Sequence, residues 1–356
     1  MALAILLGLF QSGALAQELH EAHEHMPVSP EKLGKVHFPV SCDARAQQEF
    51  EQAVAAIHSF WYEEAEKKFT EATVRDPDCS MGYWGIAMSQ YYPLWYPPDA
   101  EHLKKGWDAV RKAETIAPKT ARERDYIAVV DAFYRDYDKR DYATRAAAYA
   151  DAMHAVYVRY PNDHEAAAFY ALALTATASP TDKTYARQRE AGRILERLYA
   201  EQPNHPGLAH YIIHAYDNPA LASRALPAAR RYAKIAPSVP HALHMPSHIF
   251  IRLGLWQESI QSNLAAEAAA KDYAARTHMT GAWAEQLHAL DYLVYAYLQS
   301  GQDREAGRVV DELARIEKSQ PQDQKSAYAF AAIPVRYAAE RGRWSESTSN
   351  SPNARR

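Results

Sequence analysis

Eight of the sixteen histidines fall between His205 and His288, and several recur at fixed spacing. His210 and His214 form an H-x-x-x-H pair, and His244 and His248 repeat it thirty-four residues later. His241 and His288 lie forty-seven residues apart, as do His244 and Asp291. Side chains four apart share one face of a helix. Repeating such a pair at a longer fixed period sets the faces of successive helical units side by side. Imidazole is the commonest protein ligand for transition metals, so the spacing predicts a wall of potential ligands.

Residues four apart on a helix bring their side chains within about 5–6 Å, and packed helices lie about 8–10 Å apart. Two imidazoles from each of two neighbouring helices can therefore converge on one ion. His210, His214, His244 and His248 form the first candidate quartet. His241, His288 and Asp291 form a second cluster, or supply the carboxylate of a three-His-one-Asp site. Asp217 is a candidate outer carboxylate that orients an imidazole. All-histidine ligation suits zinc, copper or iron and does not choose among them. Two other readings use the same residues: a structural His/Asp/Tyr hydrogen-bond network, and a cluster of histidines that titrates as a group.

The elements that must carry these residues are helices. Glycine is scarce at 13, Ala, Glu, Arg, Leu and Tyr abound, and no run of alternating β-branched residues occurs. Pro77, Pro118, Pro161, Pro203 and Pro237 each close a helical stretch, the last two thirty-four residues apart. Helix pairs are predicted at 43–76, 78–116, 119–160, 163–202, 205–236, 240–272 and 279–318, with an eighth first helix at 324–341. The segments 91–102 and 175–186 interrupt this regularity as insertions, and Pro246 either kinks the first helix of its unit or starts it anew.

Residues 60–77, FWYEEAEKKFTEATVRDP, place Ala65, Phe69, Ala72 and Pro77 where a tetratricopeptide repeat has its small, aromatic, small and proline positions. The stretches 252–268, 297–316 and 337–347 put Gly254, Gly301 and Gly342 in the turn of such a unit. The chain resembles the tetratricopeptide family over most of residues 43–345. The phrases HPGLAHYIIHAYDNP and PHALHMPSHIFIRLGLW are similar to a branch found in exported bacterial proteins. The resemblance implies an all-α, right-handed solenoid of about seven to eight helix-turn-helix units. It also implies that His210, His214, Asp217, His241, His244, His248, Arg252, His288, Asp291 and Tyr295 face the concave groove.

The resulting organisation is a signal peptide at 1–16, a leader at 17–42, degenerate repeat units at 43–202, histidine-lined units at 203–318, and a partial last repeat with a polar tail at 319–356. The apolar run Ala2 to Leu15, with small residues before Gln17, reads as a secretory signal without a basic n-region. Export to the periplasm or medium permits a Cys42–Cys79 disulfide, against which stands a pair of buried thiols. No later segment is apolar enough to span a membrane. A formal charge of −4 with no basic stripe argues against nucleic acid.

His20, His23 and His25 in the leader form a tract able to bind metal loosely. His58, His154 and His205 are read as structural, and Tyr91, Trp95 and Tyr96 as a packed loop or the groove mouth. Phosphate loops, nucleophile elbows, H-E-x-x-H and C-x-x-C are all missing. The leading expectation is an exported superhelix whose groove holds a transition metal for storage, delivery or metal-assisted catalysis. The alternative is a metal-independent scaffold that receives a peptide or protein partner, and a third is a groove for a cyclic ligand such as haem.

Overall fold

The chain folds as pairs of antiparallel helices, and each pair that the sequence predicts is present. The computed structural model describes residues 31–94 and 96–345. The proposed signal peptide, the His20, His23 and His25 tract, Trp95 and residues 346–356 lie outside them. The pairs are α1 (Ala44–His58) with α2 (Tyr62–Arg75), α3 (Ser80–Met88) with α4 (Ala100–Ile116), α5 (Ala121–Tyr134) with α6 (Tyr142–Arg159), and α7 (His164–Ala176) with α8 (Ala186–Glu201). They continue with α9 (Pro206–Tyr216) and α10 (Ala222–Ile235). The next unit has a divided first helix, α11 (Pro240–His244) and α12 (Pro246–Arg252), before α13 (Trp256–Arg276). Then come α14 (Ala284–Gln299), α15 (Asp303–Leu313) and α16 (Gln324–Glu340).

Local chemistry sets these boundaries. Asp43 caps α1 by accepting from the Arg45 and Ala46 amides, and Thr120 with Glu123 closes a capping box on α5. Pro206, Pro240 and Pro246 each open a helix at a position whose amide has no partner within the helix. Pro246 thus starts a helix anew, and His241 and His244 stay helical on the short segment before it. Gly254, Gly301 and Gly342 hold φ of +70°, +71° and +68° in the turns where the sequence placed them. A Cβ at any of the three would meet nothing within 4 Å, so backbone conformation alone asks for glycine there.

The sequence gives no sign of a strand, yet β1 (Ala282–Trp283) and β2 (Ser319–Gln320) pair in parallel. The Ala282 amide donates to the Lys318 carbonyl at 3.0 Å, a two-residue tether too short to leave a periodic pattern. Among the described residues no helix is long and apolar enough to cross a membrane.

Packing departs from an open groove. First helices meet their neighbours, with α7 on α9, α9 on α12, α11 on α14 and α14 on α16, but α1 also packs against α9. Phe60, at φ +54° in the α1–α2 turn, lies edge-on to the His210 ring at 4.4 Å. Bulky rings fill the space that a wider superhelix would leave open, so several positions expected on an exposed groove are buried.

The segment before α1 straps the units together. Lys32 pairs with Ser238 and the Lys35 amide donates to the Asn204 carbonyl, while the Ser41 amide donates to Glu123. Phe38 is fully buried against Phe50, Trp84 and Tyr126. Cys42 and Cys79 end the strap as a disulfide with Cα atoms 4.9 Å apart. Changing both cysteines to serine is expected to lower unfolding stability by about 2–4 kcal/mol, the usual worth of such a crosslink. Urea unfolding of the oxidised protein beside the double variant measures this, and equal midpoints would contradict it.

Candidate metal centre

Four helices, α9, α11, α12 and α14, bring six of the predicted histidines together. They do so as two triads rather than as the expected quartet: His210, His214 and His241 in one, His244, His248 and His288 in the other. Within each triad the ligating nitrogens all lie within 4.8 Å of one another. The i,i+4 pairs behave as their spacing requires, with Nε2 atoms 3.0 Å apart for His210 and His214 and 3.1 Å apart for His244 and His248. The third member comes from a different unit each time. His241 Nε2 reaches His210 Nε2 at 3.2 Å, and the His288 ring centre is 4.3 Å from that of His244. The division runs within α11, where His241 reaches His210 on α9 while His244 meets His248 on α12 and His288 on α14. The triads adjoin, with the His241 and His244 rings 6.1 Å apart and those of His214 and His248 6.3 Å apart.

Outer partners decide what the facing nitrogens carry. His210 Nδ1–H donates to the His58 carbonyl at 2.7 Å, which leaves a lone pair on Nε2. His244 Nδ1 lies 2.6 Å from Asn263 Oδ1, and the Asn263 amide is oriented by its own Nδ2 donating to the Ser259 carbonyl at 2.8 Å. His244 Nδ1 is therefore a donor and its Nε2 is bare. His248 Nδ1–H donates to Asp217 at 2.9 Å, and Arg252 Nε holds the other carboxylate oxygen at 2.8 Å. His248 Nε2 then carries no hydrogen either, with the Tyr292 hydroxyl 3.2 Å from it. His241 Nδ1 faces Glu285 at 3.5 Å, and Glu285 pairs with Lys325 at 2.5 Å.

Two bare imidazole lone pairs thus point at each other across 3.1 Å between His244 and His248. That contact is repulsive unless a cation lies between them, either a proton or a metal ion. For tetrahedral ligands at about 2.0–2.1 Å from an ion, neighbouring donors stand about 3.3–3.4 Å apart, close to what is seen here. Burial works against the proton. It lowers the pKa of His244, with the neighbouring His248 and His241 acting in the same direction. Burial likewise depresses His210, His214, His241 and His288. Around them the carboxylates are kept ionised. Burial would raise Asp217, but hydrogen bonds from His248 and Arg252 outweigh it and hold it well below the usual range. Glu285 is held low in the same manner, by Lys325 and His241 against its burial.

His214, His241, His248 and His288 line a cavity of about 490 Å³, while His210 and His244 sit deeper as fully buried anchors. Phe60, Trp61, Tyr96 and Trp283 form much of its wall, with Glu63, Glu285, Asp323 and Lys325 as its charged groups. Glu63 is open to the water of the cavity but enclosed by protein on most sides, and this partial desolvation raises its carboxyl pKa. The Tyr292 hydroxyl stands 3.2 Å from His248 Nε2. Its pKa is driven far up by burial, so it stays a neutral phenol able to donate a hydrogen bond.

Several sequence expectations are corrected. His241, His288 and Asp291 do not form a cluster, because the two histidines enter different triads. Asp291 is buried against Arg336, Oδ1 to Nη1 at 2.5 Å, so its carboxylate is already committed. Tyr295 packs on Trp256 and under the Arg336 guanidinium rather than on a histidine. Asp217 touches the triad through His248, and Arg252 through Asp217. Tyr91 is buried against Phe133 and Tyr149, while Tyr96 lines the cavity.

A third cluster, His58, Glu165 and His205, is fully buried and differs in kind. His58 Nε2 and His205 Nε2 donate to the two Glu165 oxygens at 2.7 and 2.9 Å. His58 Nδ1 lies 2.9 Å from the Tyr211 hydroxyl, and His205 Nδ1 accepts from the Leu208 amide at 3.3 Å. Every ring nitrogen has a complementary partner, so the structural reading of His58 and His205 holds. The cluster acts as a brace that fixes the His58 carbonyl on which His210 is oriented.

Spacing alone did not single out Asn263, Glu285, Tyr292, Glu63, Lys325 or Glu165. Glu285 and Tyr292 had a visible signal, since they lie three residues before and four residues after His288 on α14. The others come from second helices or distant units and carry no local pattern. No family model matches the chain, and no curated protein matches it.

Proposed function

We propose that this protein holds transition-metal ions at two neighbouring three-histidine centres, and that coordination positions left open towards the cavity serve metal-assisted chemistry on a small molecule. The observation that carries the reading is the pair of bare lone pairs on His244 and His248, each fixed by an outer partner that permits no other tautomer. Structural networks pair donors with acceptors, as His58, Glu165 and His205 do. His244 and His248 in the second triad instead turn two acceptors towards each other, which is what a cation requires.

Three neutral nitrogens per ion leave a fourth position for water or substrate, the arrangement of catalytic rather than structural zinc sites. A bound ion there would supply Lewis acidity or an activated water. Glu63 and Glu285 are carboxylates placed in the cavity to exchange a proton with such a water, while the Asp323 carboxylate beside them caps α16, and Tyr292 is a neutral donor beside His248. The helix pairs with glycine turns support a tetratricopeptide-like array as the scaffold. The Cys42–Cys79 crosslink supports an exported protein, since disulfides persist in oxidising compartments. The nitrogen donors suit zinc, copper or iron.

Elemental analysis of protein purified without added metal or chelator tests the reading. About one to two equivalents of a transition metal are expected after loading and desalting. No retained metal would overturn it. The triads would then be a hydrogen-bonded network, and the cavity a surface for a peptide or protein partner.

A further inference from the structure

Beside the second triad, on the side of α12 and α14 that carries Tyr292, lies another recess of about 360 Å³. Arg252, Arg336, Tyr292, Tyr295 and Tyr328 line it together with His288 and with Asp291, whose carboxylate is paired to Arg336. His288 also lines the larger cavity, so one histidine borders both spaces. Each guanidinium is oriented by a carboxylate on one edge. Arg252 Nε is held by Asp217 at 2.8 Å, and Arg336 Nη1 by Asp291 at 2.5 Å. Arg336 is further fixed over the Tyr295 ring, 5.4 Å from its centre.

An arginine carries five donor hydrogens in a rigid fork. Among the described residues, the hydrogen bond of Arg252 goes to Asp217 through Nε, which leaves both its terminal nitrogens to the recess. Arg336 Nη2 lies 3.5 Å from the Tyr328 hydroxyl, a long contact that an oxyanion would readily replace. Two oriented forks with tyrosine hydroxyls beside them match the donor pattern that carboxylate and phosphate oxygens accept. Charge points the same way. An ion bound by neutral imidazoles keeps its full positive charge, which favours an anion in the adjoining space.

Resting on the metal reading above, we propose that this recess binds the oxyanion end, carboxylate or phosphate, of the molecule on which the histidine centres act. Arg252 and Arg336 are its ligands, and Tyr328 is a supporting donor. The substrate class is then a small anionic compound whose reacting part extends past His288 to the metal.

Titration calorimetry with inorganic phosphate and with acetate, on zinc-loaded and on chelator-treated protein, tests this. Zinc content is measured in every sample. Arg336→Gln should weaken anion binding at least about tenfold and Tyr328→Phe about threefold, with zinc content unchanged. Because Arg336→Gln alone strands the buried Asp291 carboxylate, the Asp291→Asn/Arg336→Gln double variant is measured beside it and should show the same loss. Binding of acetate rather than phosphate assigns a carboxylate, and the reverse a phosphate. Wild-type anion affinity in all three variants would overturn the proposal, as would no binding of either anion. If the protein retains none of zinc, copper or iron after loading, the metal reading fails. An anion affinity that still depends on Arg336 in metal-free protein would then uphold the recess by itself.

Discussion

Changing His248 to alanine should remove the metal of one centre and leave the other filled. His248 supplies one of the three nitrogens in its triad, and its removal also releases Asp217 and the Tyr292 hydroxyl from their contacts. The two histidines that remain, His244 on α11 and His288 on α14, make a far weaker site than three, so the His244–His248–His288 centre should empty on dialysis. His214→Ala should do the same to the His210–His214–His241 centre. Asp217→Asn is the more searching variant. It keeps all six imidazoles but weakens the acceptor that fixes His248 in its Nδ1–H form, and loss of such an outer partner typically costs 10–100-fold in metal affinity. Competition against a chromogenic chelator reads each affinity, with circular dichroism confirming the helical fold. If both histidine variants hold as much metal as the parent, the triads are not the ligands. If Asp217→Asn weakens both centres equally, the outer partner acts through the whole fold rather than through His248.

Much of the scaffold was legible because helix pairs write themselves into sequence. Turn glycines such as Gly254 and helix-opening prolines such as Pro206 act within a few residues of where they stand. The i,i+4 histidine pairs were legible for the same reason, since one helix turn fixes their separation. Which pair joins which third ligand was not. That depended on how α9, α11, α12 and α14 pack on one another, which no local spacing encodes. The repeat frame puts His288, Asp291 and Tyr295 in the groove, whereas the side chains of α14 that reach the site are His288 and Tyr292. Outer partners were the least visible. Asn263 reaches His244 from the following second helix, and the His58 carbonyl reaches His210 across 152 residues. No periodicity encodes a contact of that range.

The same burial that readies the triads for metal makes the metal-free protein sensitive to acid. In the folded chain His210, His214, His241, His244 and His288 all have pKa values below the ordinary 6.5, first through burial and then, for most of them, through one another's charge. Unfolding returns each to about 6.5. Below that value the unfolded chain takes up protons that the folded chain refuses, so stability is full above pH 6.5 and falls as the pH drops towards the folded values. Each histidine contributes up to about 1.4 kcal/mol per pH unit over that window. Five acting together set an upper limit of about 7 kcal/mol per unit, on the scale of a domain's whole stability. The ionised Glu165, Asp217 and Glu285 extend the loss at still lower pH, as they must be protonated in turn. Urea midpoints in chelator at pH of about 7.5, 6.5 and 5.5 should therefore fall steeply only between the last two. A flat profile would mean that the imidazoles accept protons in place and that their burial is not what the packing indicates. Saturating metal stabilises the folded state in proportion to the logarithm of its excess over the dissociation constant, so it should carry the collapse to lower pH. A metal that left the profile unmoved would not be bound by these histidines.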